Sequence, residues 1–152
     1  EVPLARFGTD FRGDKKGAIE LVTEIELQIE REFRATIAAR FPDHVVLGEE
    51  FGSSGDREGT PRFCWVFDPV DGTTNYAHGL PLFSVSVALE RAGTVELGVG
   101  YDPTRDELFV AQRGGGATLN GEPIAFTALD VECMVIMTQL RDTDGDLTGG
   151  FD

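Results

Sequence analysis

The sequence predicts an α+β fold, a mostly antiparallel sheet covered by a helix, and three observations support it. One long amphipathic segment precedes a series of short apolar segments separated by turn residues. Asn120-Gly121 is the strongest hairpin signal, because both central residues of a type I′ turn need a positive φ. A chain of 152 residues with 41% hydrophobic residues can bury a core. We therefore expect residues 1–152 to form a single lobe.

The predicted elements follow in chain order. A helix is expected from about Ile19 to Arg40, with Pro42 beyond its end and with one apolar stripe, formed by Leu21, Ile25, Ile29, Phe33 and Ile37. A short strand at His44–Leu47 precedes residues 52–60, which are rich in Gly, Ser and charged residues and predict a mobile loop. A buried strand is then expected at Phe63–Phe67. Further strands are predicted at 83–90, 95–101, 107–112, 116–119, 122–126 and 131–138, with a turn at 92–93.

Chemistry-bearing residues follow the strand at 63–67, in the segment Asp68-Pro69-Val70-Asp71-Gly72-Thr73-Thr74-Asn75. Two carboxylates leave the strand end together, and Gly48-Glu49-Glu50 delivers another carboxylate after the preceding strand. Carboxylate and carbonyl oxygens are ligands of hard cations such as Mg²⁺. Gly-Thr-Thr can open a helix whose free N–H groups attract phosphate. Two cations roughly 3.5 to 4 Å apart can clamp both oxygens of an in-line displacement. The sequence thus predicts a site for metal and phosphate.

Three ordered motifs give the chain a resemblance to a known family: G-E-E at 48–50, W-V-F-D-P-V-D-G-T-T-N-Y at 65–76 and F-S-V-S-V-A-L at 83–89. With these motifs the chain resembles the inositol monophosphatase family of Mg²⁺-dependent, lithium-sensitive phosphatases, from Lys16 to about Thr138. The resemblance implies the first lobe of a layered α/β sugar-phosphatase-like fold. It also implies hydrolysis of a small phosphate monoester, similar to inositol monophosphate, by metal-activated water in a cytoplasmic homodimer.

The resemblance also implies a role for individual residues. The metal ligands would be Glu49, Asp68, the carbonyl of Val70, and Asp71. The substrate phosphate would bind at Asp71, Gly72, Thr73 and Thr74. The catalytic residues would be Thr73, which orients the nucleophilic water, Glu26, which stands where the family usually has Asp, and Lys16 or its neighbour Lys15.

Two departures from the family pattern leave alternatives open. Thr23-Glu24-Ile25-Glu26 also fits a capping box, in which Glu26 would serve the helix N-terminus instead of the site. The family's later W-D-x-A-x-G motif has no match here, so we expect the C-terminal half of the pattern to be absent from this chain. The alternatives to an inositol-phosphate phosphatase are therefore two. One is a histidinol-phosphate, fructose-1,6-bisphosphate or nucleotide bisphosphate phosphatase; the other is a non-catalytic metal-binding half-domain or dimerisation fragment.

Composition limits the partners. The net charge of −14 disfavours nucleic acid and anionic membranes, and no segment has the ~20 apolar residues of a membrane span. Cys64 and Cys133 are expected to be reduced core residues, which favours a cytoplasmic location.

Three further residues have no separate role in the predicted site. His44 and His78 are expected on loops, and Glu50 is expected either in solvent or in support of the metal ligands. Residues 142–146 are not expected to form a calcium loop, because Leu147 stands where the turn needs Gly.

Overall fold

The computed structural model describes residue 7, residues 15–54 and residues 61–125, apart from the side chains of 15–21 and 23. Within these ranges lie a long helix, α1 (Lys15–Arg40), and a short one, α2 (Thr73–Ala77). The strands are β1 (Val45–Gly48), β2 (Gly52–Ser53), β3 (Phe63–Asp71), β4 (Ser84–Arg91), β5 (Thr94–Asp102), β6 (Glu107–Gln112), β7 (Gly116–Leu119) and β8 (Glu122–Ile124). They form one sheet in the order β2-β1-β3-β4-β5-β6-β7-β8.

The sheet confirms the predicted α+β class. From β3 to β8 each strand pairs antiparallel with the next, as expected for consecutive hairpins, whereas β1 and β3 pair in parallel. Asn120 and Gly121 have φ values of 51° and 87°, which confirms the predicted turn. Ala92 and Gly93, with φ values of 49° and 78°, turn the chain between β4 and β5.

Most strand boundaries agree with the prediction, and one loop does not. β6 and β7 have the predicted bounds. β4 is displaced by one residue, β5 is one residue longer at each end, and β8 ends at Ile124. The prediction of a mobile loop is wrong for Gly52 and Ser53, which form β2, because β1 supplies an antiparallel partner. The strand predicted at 131–138, residues 142–146 and Cys133 lie outside the described residues, as do residues 55–60.

β3 is longer than predicted, and this extension fixes the segment that carries the aspartates. Asp68 pairs with Ser86 and Asp71 with Ser84 on β4, with a register irregularity between the two pairs. Pro69 lies at this irregularity, where a residue without an N–H can be accommodated in a strand. Both aspartates therefore belong to a strand and not to a free turn.

α1 packs one face against the sheet and against α2. The core cluster contains Val22, Ile25, Val70, Tyr76 and Phe83, all buried. Further along the helix, Phe33 stacks on Phe67 with ring centroids 4.1 Å apart. The predicted stripe is thus buried at Ile25 and Ile37 and half-buried at Ile29 and Phe33, while Leu21 is among the side chains not described. In the described ranges, no helix is long and apolar enough to cross a membrane.

α1 begins at Lys15 and not near Ile19, and this excludes the capping box. An N-cap residue precedes the first helical turn, whereas Thr23 is helical and stands two turns inside α1. The interpretation of Glu26 as a cap partner is therefore wrong. Cys64 is a buried free thiol, as predicted.

Candidate active site

The parallel pairing of β1 and β3 brings the first two acids together. Gly48, the last residue of β1, lies opposite Phe67 in the register, so Glu49 after β1 and Asp68 within β3 lie side by side. Their carboxyl groups share a hydrogen bond. Glu49 and Asp68 thus lie together, as expected, although Asp68 belongs to β3 and does not follow it.

Asp68 is held in place by the backbone that follows it. The Val70 N–H donates to Asp68 Oδ1 at 3.0 Å. Burial, together with the negative charges of Glu49 and Asp71, raises the pKa of Asp68 to about 7. The Val70 N–H opposes this shift because it stabilises the ionised carboxylate. Asp71 itself is exposed at the end of β3.

Gly72 makes the connection from β3 to α2. Its φ of 100° lies in the left-handed region, and a Cβ at this position would lie 2.9 Å from the carbonyl oxygen of Leu82. Only Gly meets both conditions without strain. α2 starts directly afterwards with Thr73 and Thr74, both exposed, and the N–H groups of a first helical turn have no carbonyl partner within the helix. These donors directly follow Asp71 at the end of β3.

A hydrogen bond joins Thr73 to Glu26 across 47 residues of sequence. Thr73 Oγ1 lies 2.9 Å from Glu26 Oε1 and 3.1 Å from the Val70 carbonyl oxygen. A hydroxyl has one hydrogen, so the two acceptors compete for it, and an ionised Glu26 is the stronger of the two. When Glu26 is protonated, its O–H can donate to Oγ1 and the Thr73 hydrogen is free for Val70.

The environment of Glu26 favours uptake of a proton. The side chain is 5% exposed, and its pKa is raised to about 7, mainly by burial and also by the negative charges of Glu50, Glu49 and Asp68. The hydrogen bond from Thr73 opposes this rise. Glu26 thus lies in the candidate site, where the resemblance put it.

Glu50 joins Glu26, Glu49 and Asp68 in one group of carboxyls, the carboxyl cluster, and is not simply solvated. Its side chain is half-buried and shares a hydrogen bond with Glu26. Burial raises its pKa, as do the charges of Glu49 and Glu30. Of the two roles predicted for Glu50, support of the ligands is the one that these contacts favour.

Four other residues named in the sequence analysis contribute no described side chain to this group of carboxyls. Lys15 and Lys16 belong to α1, but their side chains lie outside the described part. His44 lies before β1, where its Nδ1 accepts a hydrogen bond from Trp65 Nε1 at 3.0 Å. His78 follows α2, and its Nδ1 lies 2.7 Å from the Thr74 carbonyl oxygen. Both histidines are outside regular elements, as predicted.

The donor set fits a hard divalent cation, although it is not preformed around one. In residues 15–54 and 61–125, no three Asp, Glu, His or Cys side chains are arranged to hold a metal ion. The carboxyls of Glu49 and Asp68, and those of Glu26 and Glu50, instead bond to each other. Within the described ranges, the Arg side chains form ion pairs with Glu30, Glu96 and Asp102 and not with these four carboxyls. Four crowded carboxyls with oxygen donors only are the chemistry that Mg²⁺ prefers.

The raised pKa values predict that the protein without divalent cations loses stability as pH rises. Asp68 and Glu26 have pKa values of about 7 in the folded state, above the ~4 expected when unfolded. The folded state therefore binds more protons than the unfolded state between pH ~4 and ~7. The protonated carboxyls contribute their full stabilisation below pH ~4, and this contribution is lost above pH ~7. We expect a loss of roughly 1 to 3 kcal/mol per carboxyl across this window, measured by urea unfolding at pH 5 and pH 8.

A double variant isolates the two groups from the other carboxyls. Asp102, for example, has a lowered pKa because Thr104 and Arg105 donate hydrogen bonds to it, so it acts in the opposite direction. Asp68→Asn with Glu26→Gln should flatten the pH dependence relative to the parent while leaving this background in place. An equal pH dependence in the two proteins would contradict the assignment.

Comparisons with known proteins agree with the fold. The chain matches the family model of the inositol monophosphatase family over residues 1–144, and it belongs to that family, a family of phosphatases. It is 42% identical over 115 residues to an inositol monophosphatase of Dictyostelium discoideum, covering 76% of this chain and 42% of that protein. It is also 42% identical over 126 residues to the Nus factor SuhB of Escherichia coli, covering 82% of this chain and 46% of the relative.

A solved inositol monophosphatase structure from Anabaena (Nostoc) has a similar fold. It aligns with a TM-score of 0.66 and 39% identity over 76% of this chain and 46% of that one. The chain thus spans less than half the length of the relatives it matches.

Proposed function

We propose that the protein containing this chain hydrolyses a small phosphate monoester with the help of Mg²⁺. The observation that carries the proposal is the hydrogen bond between Thr73 Oγ1 and Glu26 Oε1 at the rim of the carboxyl cluster. A hydroxyl that donates a hydrogen bond to a carboxylate of raised pKa is suited to accept a proton from a water molecule. Acidic metal ligands and helix N–H groups lie next to it.

Residues of the cluster would hold the cation. Glu49, Asp68, Asp71 and the carbonyl of Val70 are the proposed ligands, with Glu26 and Glu50 behind them. When bound, Mg²⁺ supplies charge stabilisation for phosphoryl oxygens and lowers the pKa of water. The carboxyl groups that now share hydrogen bonds would separate to face the ion. The energy of their mutual repulsion would then favour metal binding.

Thr73 and Glu26 would position the nucleophile and take up its proton. With Glu26 ionised, the Thr73 hydrogen points to Oε1, so the lone pairs of Oγ1 can accept a hydrogen from water. As the water oxygen bonds to phosphorus and the ester P–O bond breaks, the water proton passes through Oγ1 to Glu26. The alcohol leaves with a proton from solvent, and the products are an alcohol and inorganic phosphate.

The β3–α2 junction would bind the phosphoryl group. The N–H groups at Gly72, Thr73 and Thr74 can donate to its oxygens, and the left-handed φ of Gly72 sets the direction of this segment. The net charge of −14 repels an anionic substrate, so the bound cations would be needed to make the local potential attractive. Phosphate binding would therefore depend on Mg²⁺.

The substrate proposed first is a polyol monophosphate similar to inositol monophosphate, with inhibition by lithium. The alternatives are histidinol phosphate, fructose-1,6-bisphosphate and nucleotide bisphosphates. Because the family's W-D-x-A-x-G motif has no match in residues 1–152, a non-catalytic metal-binding or dimerisation role of this segment alone is the second proposal.

A homodimer is the proposed assembly. The net charge of −14 supports the proposal that the protein binds neither nucleic acid nor anionic membranes directly.

Phosphate release from a panel of these esters, with and without Mg²⁺ and Li⁺, tests the proposal. We expect Mg²⁺-dependent release from at least one polyol phosphate by the complete protein. The segment 1–152 alone should turn over at least about 100-fold more slowly. The family resemblance implies that the Asp of the W-D-x-A-x-G motif completes a second metal site, and this motif has no match in residues 1–152. Equal turnover by the segment would show that it completes its own site. No release from any ester by the complete protein would favour the non-catalytic role.

A further inference from the structure

Glu30 is a fully buried acid that the proposed reaction does not use. Its side chain is 0% exposed in α1, one helical turn beyond Glu26. Glu30 Oε2 accepts a hydrogen bond from the Glu50 N–H at 2.9 Å, and Oε1 accepts one from the Phe51 N–H at 3.3 Å. One carboxylate thus bonds both backbone N–H groups that follow Glu49.

Arg34 completes this contact from the next turn of α1. Its Nε donates to Glu30 Oε1 at 2.8 Å, and its Nη1 donates to the Val46 carbonyl oxygen at 3.4 Å. Its Nη2 donates to the carbonyl of Gly52. The pair therefore binds β1 through Val46, the turn through Glu50 and Phe51, and β2 through Gly52.

Gly48 provides the space for the Glu30 carboxylate. A Cβ at Gly48 would lie 2.0 Å from Glu30 Oε1 and 2.6 Å from Oε2, so the Glu30 carboxylate would have to move away. The φ of Gly48 is not positive, so the requirement at this position is room and not backbone conformation. Gly48 at the end of β1 and Glu30 on α1 are thus mutually dependent.

Stability alone does not account for a charge pair in which Glu30 is fully buried and Arg34 half-buried. Desolvation of two ions offsets much of their attraction, and apolar side chains of similar volume are often as stabilising. What the pair adds is geometry, because it fixes the backbone on the C-terminal side of Glu49 at two consecutive N–H groups. The side chains carried by this turn, Glu49 and Glu50, are those that contact Asp68 and Glu26.

We propose that Glu30, supported by Arg34, is a positioning residue that fixes the turn Gly48–Phe51 so that Glu49 and Glu50 face the metal ligands on β3. Its effect on Mg²⁺ rests on the proposed function, whereas its effect on the turn does not. Replacement of Glu30 should therefore loosen the turn in the absence of metal and weaken Mg²⁺ binding in its presence.

Amide hydrogen exchange and Mg²⁺ titration of the complete protein test the two effects separately. In Glu30→Gln without Mg²⁺, we expect the amides of Glu50 and Phe51 to exchange at least about 10-fold faster, while amides of β4 and β5 are unchanged. The Kd for Mg²⁺ should rise about 10-fold or more, as for other residues that orient metal ligands. Glu32→Gln is the matched control, because Glu32 is an exposed acid on the same helix that bonds Gln28. It should change neither quantity.

Two further variants separate positioning from fold maintenance. Gly48→Ala should reproduce the Glu30→Gln result without a change of charge, because the methyl group displaces the carboxylate. Glu30→Met with Arg34→Met removes both buried charges at similar volume, so the protein should stay folded but bind Mg²⁺ weakly. Parent-like Mg²⁺ affinity in this folded double variant would overturn the proposal, as would unchanged exchange in Glu30→Gln. If the parent binds no Mg²⁺ but exchange still accelerates, the proposed function fails and the fixed turn is supported.

Discussion

Asp68→Asn is expected to raise the Kd for Mg²⁺ by at least about 100-fold while the protein stays folded. The variant loses one charged group of the proposed metal site, at the point where β1 and β3 meet, next to Glu49. Without metal, its stability at pH 8 should equal or exceed that of the parent. The reason is that burial and the charges of Glu49 and Asp71 make an ionised carboxylate at position 68 unfavourable. Calorimetric titration with Mg²⁺ and urea unfolding measure the two quantities.

A second acidic variant and a distant control define the site. Asp71→Asn should also weaken Mg²⁺ binding, whereas Asp43→Asn, an exposed acid in the turn after α1, should not. If Asp68→Asn titrates Mg²⁺ like the parent, the metal site is not at the ends of β1 and β3. Loss of binding in Asp43→Asn as well would indicate that the titration reports general charge screening.

The fold could be predicted largely because its strands are joined by local turns. Hairpin signals such as Asn120-Gly121 specify neighbouring antiparallel strands directly, and β6 and β7 have the predicted bounds. β2 was missed because it consists of two residues whose partner is β1 and whose carbonyl at Gly52 is bonded by Arg34. Neither contact has a local sequence signal. The end of β3 was missed because Pro69 ordinarily ends a strand, whereas here a register irregularity accommodates it.

The candidate site could be predicted where its residues are contiguous in sequence. Asp68 to Thr74 form one segment, so the residue types and their spacing are sufficient to indicate metal and phosphate. The contribution of α1 required long-range contacts, from Glu26 to Thr73 and from Glu30 to Glu50. A signal was available, because Val22, Glu26 and Glu30 are spaced by four residues and share one helix face. Acids that continue a buried stripe are a sign of a polar contact across the core.

Glu26→Gln is expected to lower kcat by about 100-fold or more at saturating Mg²⁺ in the complete protein, without loss of thermal stability. Gln has the same shape as Glu and can keep a hydrogen bond to Thr73 Oγ1, but it cannot take up the proton of the attacking water. Because burial already raises the pKa of Glu26, removal of its charge should not destabilise the fold at neutral pH. Steady-state kinetics and thermal unfolding of the same preparations measure both effects.

Two matched variants distinguish proton transfer from packing. Glu24→Gln removes an exposed acid of α1 and should leave kcat unchanged. Glu26→Asp keeps the charge and restores the residue that the family usually has here, so it should retain far more activity than Glu26→Gln. Metal binding adds a further distinction: if Glu26 acts on the proton, kcat falls at every Mg²⁺ concentration, whereas a ligand role alone would be overcome by excess Mg²⁺. Full activity of Glu26→Gln across the Mg²⁺ range would remove Glu26 from the reaction and leave its bond with Thr73 a structural one.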